Sequence, residues 1–186
     1  MVPDPPPPPA DWPLLATTPG PDLRLFRVVH ERRRNPRNGV ALDALRLESP
    51  DWVNVVPMTP EGDLLLVRQF RFGVRATTLE IPGGMVHRGE DPALAAAREL
   101  REETGHVAQR LVALPPVEPN PAFLDNLCHQ YLAEGVEPAG ALEQDAGEDL
   151  VVERHSPEAV RQMVASGAIR HSLVLTALCR VLDLRR

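Results

Sequence analysis

The chain has 186 residues, a length that suggests one domain with a sizeable buried core. Its net charge of -6 argues against general nucleic-acid binding, which usually needs a basic patch. No apolar run approaches the roughly 20 residues that span a bilayer, so we expect no membrane association. The two cysteines, Cys128 and Cys179, are too few for a disulfide scaffold and predict a reducing, cytoplasmic setting.

The N-terminal segment is rich in proline. Prolines cannot donate backbone hydrogen bonds and favour extended polyproline II, so residues 1–20 are predicted to be a mostly disordered tail. A ligand for a proline-binding partner is the alternative. We place an N-terminal antiparallel β region at residues 21–50 and the main domain at residues 51–186.

Short apolar segments separated by turn residues predict strands from Leu23 to Ile81. Asn38 and Gly39 both tolerate positive φ and indicate a hairpin between two of these strands. A second turn is expected at residues 61–63, before the apolar run Leu64 to Val67.

The first clear helix is predicted over Pro92 to Thr104, with Asp91 as its N-cap and Gly105 as the residue that ends it. Further strands are expected at residues 127–132 and 150–152. Two more helices are expected near residues 157–165 and 172–184. The predicted class is therefore a mixed α+β domain.

The helix over Pro92 to Thr104 carries an unusual charge pattern. Glu99 and Glu103 are four residues apart, so both carboxylates lie on one face, near the negative end of the helix dipole. A divalent cation would turn this repulsion into coordination, and Mg²⁺ prefers such oxygen ligands. The alternative is a solvated charged face on which Arg98 and Glu102 form an ordinary ion pair.

The loop before this helix contains adjacent glycines. Gly83 and Gly84 allow a sharp turn and close backbone approach, and they could aim a carbonyl at the same metal. Glu90 lies just before the helix, where its carboxylate could pair with Arg98. A purely structural turn is the alternative.

These features occur at fixed spacings. Gly84, five residues, Glu90, seven residues and then the run from Arg98 to Gly105 together resemble the box of the Nudix family. The one departure is His106, where the family prefers an aliphatic residue. The resemblance implies a Nudix fold, with a mixed β-sheet sandwiched between α-helices.

The resemblance also implies a metal site. Glu99 and Glu103 would ligate Mg²⁺, with Mn²⁺ as an alternative, and the carbonyl of Gly83 would assist them. Glu102 would be a further ligand or would hold a catalytic water. Arg98 and Glu90 would orient these groups as a second shell.

Outside the box, the stretches at residues 66–71 and 79–84 resemble the branch that hydrolyses ADP-ribose and nucleoside-diphosphate sugars. Arg71 would then hold a phosphate, and Glu80 would contact the substrate or the metal network. A loop carboxylate often serves as general base in this branch. Glu148 is the candidate here, with Glu143 and Asp145 as rivals.

The implied activity is metal-dependent hydrolysis of a diphosphate bond, giving a nucleoside monophosphate and a sugar phosphate. Nucleoside triphosphates, coenzyme A and dinucleoside polyphosphates are alternative substrates, and a nucleotide-sensing module without catalysis is an alternative function. The branch further implies a homodimer that uses the N-terminal strands.

Overall fold

A computed structural model describes residues 7–140 and 149–184, which form ten strands and three helices. The strands are β1 (Leu14–Asp22), β2 (Arg27–Arg34), β3 (Ala41–Glu48), β4 (Trp52–Met58), β5 (Leu64–Arg71), β6 (Ala76–Glu80), β7 (Gly83–Met85), β8 (His106–Val117), β9 (Cys128–Pro138) and β10 (Leu150–His155). The helices are α1 (Pro92–Thr104), α2 (Pro157–Ala165) and α3 (Ser172–Val181).

The chain divides into two compact units. The first comprises the residues up to Ser49 together with Asn120–Asp125, and the second comprises Pro50–Pro119 and the residues from Asn126 onward. The division between Ser49 and Pro50 lies next to the boundary expected between the N-terminal β region and the main domain.

The first unit contains an antiparallel sheet in the order β1-β2-β3. Its first strand corrects the expectation of a disordered tail, because residues 14–20 pair with β2. Pro19 lies opposite Val29, and β1 is the edge of the sheet, where a residue without an N–H is tolerated. Proline content therefore did not prevent strand formation here.

The predicted hairpin joins β2 and β3, which pair with Arg34 opposite Ala41. Its loop spans residues 35–40, and Gly39 has φ +74°. The Asn35 N–H donates to the Val40 carbonyl at 2.8 Å, and the Asn38 carboxamide oxygen accepts from the Val40 N–H at 3.0 Å. The hairpin is confirmed, with a longer loop than a two-residue turn.

The second unit is built on a mixed sheet in the order β10-β5-β4-β9-β8, with β6 paired to β5 and β7 paired to β4. Strands β4 and β9 are parallel, whereas the other pairs are antiparallel. Side chains alternate between two cores: Leu64 and Leu66 pack with α2 and α3, and Leu65 packs with α1. The sheet therefore lies between helices, as predicted.

Helix α1 has the predicted bounds. Its N-cap Asp91 accepts a hydrogen bond from the Ala93 N–H at 2.7 Å, and Gly105 ends it with φ +69°. Helix α3 stops three residues before the expected end, because Leu182 adopts an extended conformation. No helix in the described ranges is long and apolar enough to cross a membrane.

Candidate functional site

Two buried carboxylates lie on one face of α1. Glu99 is 7% exposed and Glu103 is 3% exposed, although both are acidic residues near the C-terminal end of a helix. Acidic side chains are seldom this buried unless they have a specific partner. One partner of Glu103 is the Gly83 N–H, which donates to its Oε2 at 3.0 Å. The structure thus brings the paired carboxylates and the glycine segment together.

Gly83 and Gly84 lack side chains where neighbouring groups lie very close to the backbone, and neither glycine forms a turn. They lie in β7, where Gly83 is paired with Asn54 of β4. A Cβ at Gly84 would lie 2.2 Å from the Glu99 Oε1, and one at Gly83 would lie 2.3 Å from the Val53 carbonyl oxygen. Any larger residue at Gly84 would displace the Glu99 carboxylate.

Arg98 connects the acidic residues of the box. Its Nε and one terminal nitrogen donate to Glu90 at 3.0 and 3.1 Å, and its other terminal nitrogen donates to Glu99 at 2.8 Å and to Glu102 at 2.9 Å. A further bond reaches the Met85 carbonyl. This one guanidinium fixes both the loop before α1 and two carboxylates of the helix.

The electrostatics of this cluster favour its ionised form. Hydrogen bonds from Arg98, and then from the His87 N–H, lower the pKa of Glu90 to about 2. The pKa of Arg98 is raised, chiefly by its hydrogen bonds to Glu90 and despite its partial burial. The expected pair of Arg98 with Glu102 is present as well, as part of this larger network rather than as an isolated surface pair.

A second pair lies on β5 and β6. The Arg71 Nε and a terminal nitrogen donate to the two carboxylate oxygens of Glu80 at 2.9 and 2.7 Å, and the Thr78 hydroxyl donates to Glu80 at 2.6 Å. Glu80 is 1% exposed. Burial opposes its ionisation, but the bonds from Arg71 and Thr78 and the nearby charges of Arg71 and His171 hold its pKa below the ordinary value.

The Arg71–Glu80 pair lines a cavity of about 570 Å³. The other lining residues are Trp52, Val53, Asn54, Gly73, Val74, Thr78, Gly83, Gly84, Met85, Cys128, Arg170, His171 and Leu173. Of the candidate site residues named in the sequence, Arg71, Glu80, Gly83 and Gly84 therefore line the cavity. The box carboxylates adjoin it through Gly83 and Gly84.

Several lining residues were missed by sequence reasoning. Trp52 and Asn54 lie in an apolar strand, and Arg170 and His171 lie in a short connection before α3, so no local pattern marks them. Cys128, one of the two cysteines, also lines the cavity. Burial, and then the Asp51 charge, raise the pKa of its thiol to about 12, which makes it unreactive.

His129 is hydrogen-bonded to Asp51 at 2.8 Å and does not line the cavity. Glu148, like its rivals Glu143 and Asp145, lies outside the described residues.

The donors near Gly83 fit a hard divalent cation. Glu99 and Glu103 offer carboxylate oxygens, and the absence of a side chain at Gly84 keeps the space beside Glu99 open. Within residues 7–140 and 149–184, no three His, Cys, Asp or Glu side chains are grouped closely enough to form a cage. This partial set suits Mg²⁺, which is usually held by one or two carboxylates and completed by waters and substrate phosphates.

The sequence as a whole decides the family. Residues 49–176 match the NUDIX domain. The chain belongs to the Nudix family. Its fold is that of the solved structure titled "Crystal structure of ADP compounds hydrolase", with a TM-score of 0.81, 25% identity and coverage of 93% of both chains.

Two relatives of this Nudix protein share the name ADP-ribose pyrophosphatase. The Bacillus subtilis relative is 39% identical over 97 residues, which is 52% of each chain. The Mycobacterium tuberculosis relative is 29% identical over 159 residues, covering 84% of this chain and 76% of the relative. The match thus spans about half the length of the Bacillus relative.

Proposed function

We propose that the protein hydrolyses the diphosphate bond of ADP-ribose or of a nucleoside-diphosphate sugar, giving a nucleoside monophosphate and a sugar phosphate. The observation that carries this proposal is the burial of Glu99 and Glu103 against Gly83 and Gly84 at the edge of the cavity. The names of the two relatives support ADP-ribose as the first substrate to test.

Glu99 and Glu103 hold a divalent cation in this proposal, with the carbonyl of Gly83 as a further ligand. When bound, such a cation neutralises phosphate oxygens and lowers the pKa of a water that attacks phosphorus. Mg²⁺ is the proposed ion, and Mn²⁺ accepts the same ligands. Glu102, which is more exposed than the other two carboxylates, orients the attacking water or adds a ligand.

The remaining residues position these groups. Arg98 and Glu90 hold the carboxylates in place, so their replacement acts on catalysis through the geometry of Glu99 and Glu102. Glu80 orients Arg71, whose guanidinium faces the cavity and stabilises charge on the phosphates. Glu148 is the proposed general base.

Other substrates remain alternatives within the family. Nucleoside triphosphates, coenzyme A and dinucleoside polyphosphates all carry the same diphosphate bond. A nucleotide sensor is the alternative from another class, but the carboxylates Glu99, Glu102 and Glu103 are all present, which favours an enzyme.

A homodimer is also proposed. The unit containing β1 to β3 exposes large apolar side chains, which are Trp12, Leu14, Leu15, Leu23, Leu25, Val40, Leu42, Leu45 and Phe123. Exposed apolar residues in this number mark an association surface, and a second copy of the chain is the proposed occupant.

A reducing, cytoplasmic location is proposed as well. Cys128 and Cys179 are free thiols, which supports this location.

The decisive experiment is a substrate panel with Mg²⁺, in which the products are separated by chromatography so that each cleaved bond is identified directly. The panel contains ADP-ribose, nucleoside-diphosphate sugars, nucleoside triphosphates, coenzyme A and diadenosine polyphosphates. We expect turnover of the diphosphate sugars, lost in Glu103→Gln and retained in Glu134→Gln, a partly exposed residue on β9 that pairs with Arg110. Turnover of triphosphates alone would support the proposed metal site but overturn the proposed substrate class. Tight nucleotide binding without any turnover would favour a nucleotide sensor.

A further inference from the structure

Arg170 is a cavity-lining cation that has no partner in the part of the chain that the structure describes. It lies just before α3 and its side chain is exposed, yet it makes no hydrogen bond or ion pair with any residue in the described ranges. An arginine presents five donors in a planar fork that matches a phosphate group. This cation is therefore available to a ligand in the cavity.

The neighbouring residue has an unsatisfied polar atom. The Nδ1 of His171 is buried and has no hydrogen-bond partner among the described residues. Buried polar atoms nearly always have a partner, so this nitrogen points to a ligand or a water. His171 is also the N-cap of α3 but makes no side-chain capping bond, so the first turn of α3 lacks the usual side-chain acceptor.

The other charges on the cavity wall offset one another. Arg71 is bonded through two nitrogens to Glu80, so these two side chains together carry no net charge. Among the described residues, no carboxylate pairs with Arg170, so Arg170 adds positive charge to the wall beside His171 and α3. A negatively charged ligand group is the natural complement of this wall.

We propose that Arg170 and His171 form a phosphate-binding wall that holds one phosphate of the substrate. This inference rests on the proposed function for the identity of the ligand as a nucleoside-diphosphate compound. Trp52 lines the same cavity and offers an aromatic surface to the less polar part of that ligand. Arg71 and Arg170 then contact the substrate from different elements, β5 and the connection before α3.

The test is calorimetric titration of AMP and of adenosine into the protein with Mg²⁺, since neither ligand contains a diphosphate bond. We expect Arg170→Met to weaken AMP binding by about 10- to 100-fold, because it removes a charged hydrogen-bond donor, and to leave adenosine binding unchanged. Arg170→Lys keeps the positive charge but lacks the planar fork of donors. Its affinity for AMP should therefore lie between those of the wild type and Arg170→Met. Arg110→Met is the matched control, because Arg110 pairs with Glu134 outside the cavity.

Steady-state kinetics with ADP-ribose give a second measurement. Arg170→Met should raise KM by about tenfold or more with a smaller change in kcat, as expected when a residue binds ground state and transition state alike. Wild-type affinity for AMP in Arg170→Met, or equal affinity of the wild type for AMP and adenosine, would overturn the inference while leaving hydrolysis intact. An absence of turnover in the wild type would instead overturn the proposed function, and the AMP titration would still test the wall.

Discussion

Arg71 and Glu80 form a two-pronged ion pair in which the partners differ sharply in exposure: the side chain of Glu80 is 2% exposed, whereas that of Arg71 is 42% exposed. The carboxylate is therefore held ionised inside the protein by a cation that also reaches the cavity. This arrangement gives Arg71 a structural role beside the phosphate-binding role proposed for it.

Arg71→Met should destabilise the protein by about 1–3 kcal/mol, because it removes the two charged hydrogen bonds that Arg71 donates to a buried carboxylate. Chemical denaturation measures the loss. Arg68→Met is the matched control, because Arg68 lies on the same strand and pairs with Glu153, whose side chain is 24% exposed. This variant should lose less than about 1 kcal/mol of unfolding free energy. Equal losses of unfolding free energy in the two variants would show that the burial of Glu80 does not strengthen its ion pair with Arg71.

The low pKa of Glu90 predicts a pH-dependent contribution to stability. Because the folded-state pKa is about 2 and the ordinary value is 4.5, the Glu90–Arg98 interaction stabilises the fold fully above pH 4.5. Its contribution is lost as the pH falls through about 2. The difference in free energy of unfolding between the wild type and Glu90→Gln should therefore shrink as the pH falls through this window. A difference that stays constant down to pH 2 would contradict the assignment.

Gly84→Ala should abolish most activity without unfolding the protein. The added Cβ would lie 2.2 Å from the Glu99 Oε1 and would force that carboxylate to move. A displacement of about 1 Å can cost about 100-fold in rate, and kcat with ADP-ribose measures it. Gly140→Ala is the control, since its Cβ would meet nothing within 4 Å. Retention of full activity in Gly84→Ala would show that the position of Glu99 is not critical.

Glu99→Gln and Glu103→Gln should lose the stabilisation that Mg²⁺ gives to the wild type. A cation that binds only the folded protein raises Tm in a concentration-dependent manner. Thermal denaturation across a Mg²⁺ series measures this shift. Glu102→Gln should keep most of it, because Glu102 is the more exposed carboxylate and is not buried against the glycine segment. Loss of the shift in Glu102→Gln alone would reverse the proposed roles.

Replacing the exposed leucines of β3 should prevent dimer formation. Leu42 and Leu45 are 49% and 48% exposed and lie on opposite faces of β3, so lysine at both positions would place charge on either face that a second copy could cover. Size-exclusion chromatography with light scattering should then report a monomer. Val107→Lys is the control, because Val107 is 45% exposed on β8 in the other unit. A monomeric wild type would overturn the proposed homodimer.

Local signals in the sequence were sufficient for much of the fold. The cap at Asp91, the proline that follows it and the left-handed Gly105 act within one turn of the chain, so the bounds of α1 were predicted correctly. The prediction of a disordered tail was wrong for residues 14–20, because the pairing of β1 with β2 depends on a segment farther along the chain. The end of α3 was also misplaced, since the sequence shows no strong stop signal near Leu182.

The same distinction applies to the site. The spacing of Glu99 and Glu103 on one helix determined that their carboxylates share a face, and the fixed positions around them determined the family. Only the tertiary structure decided that Glu80 is bonded to Arg71, and that Arg170 and His171 line the same cavity as Gly83. The sequence could not contain these relationships, because they join residues on different elements through packing, which no periodic pattern along the chain encodes.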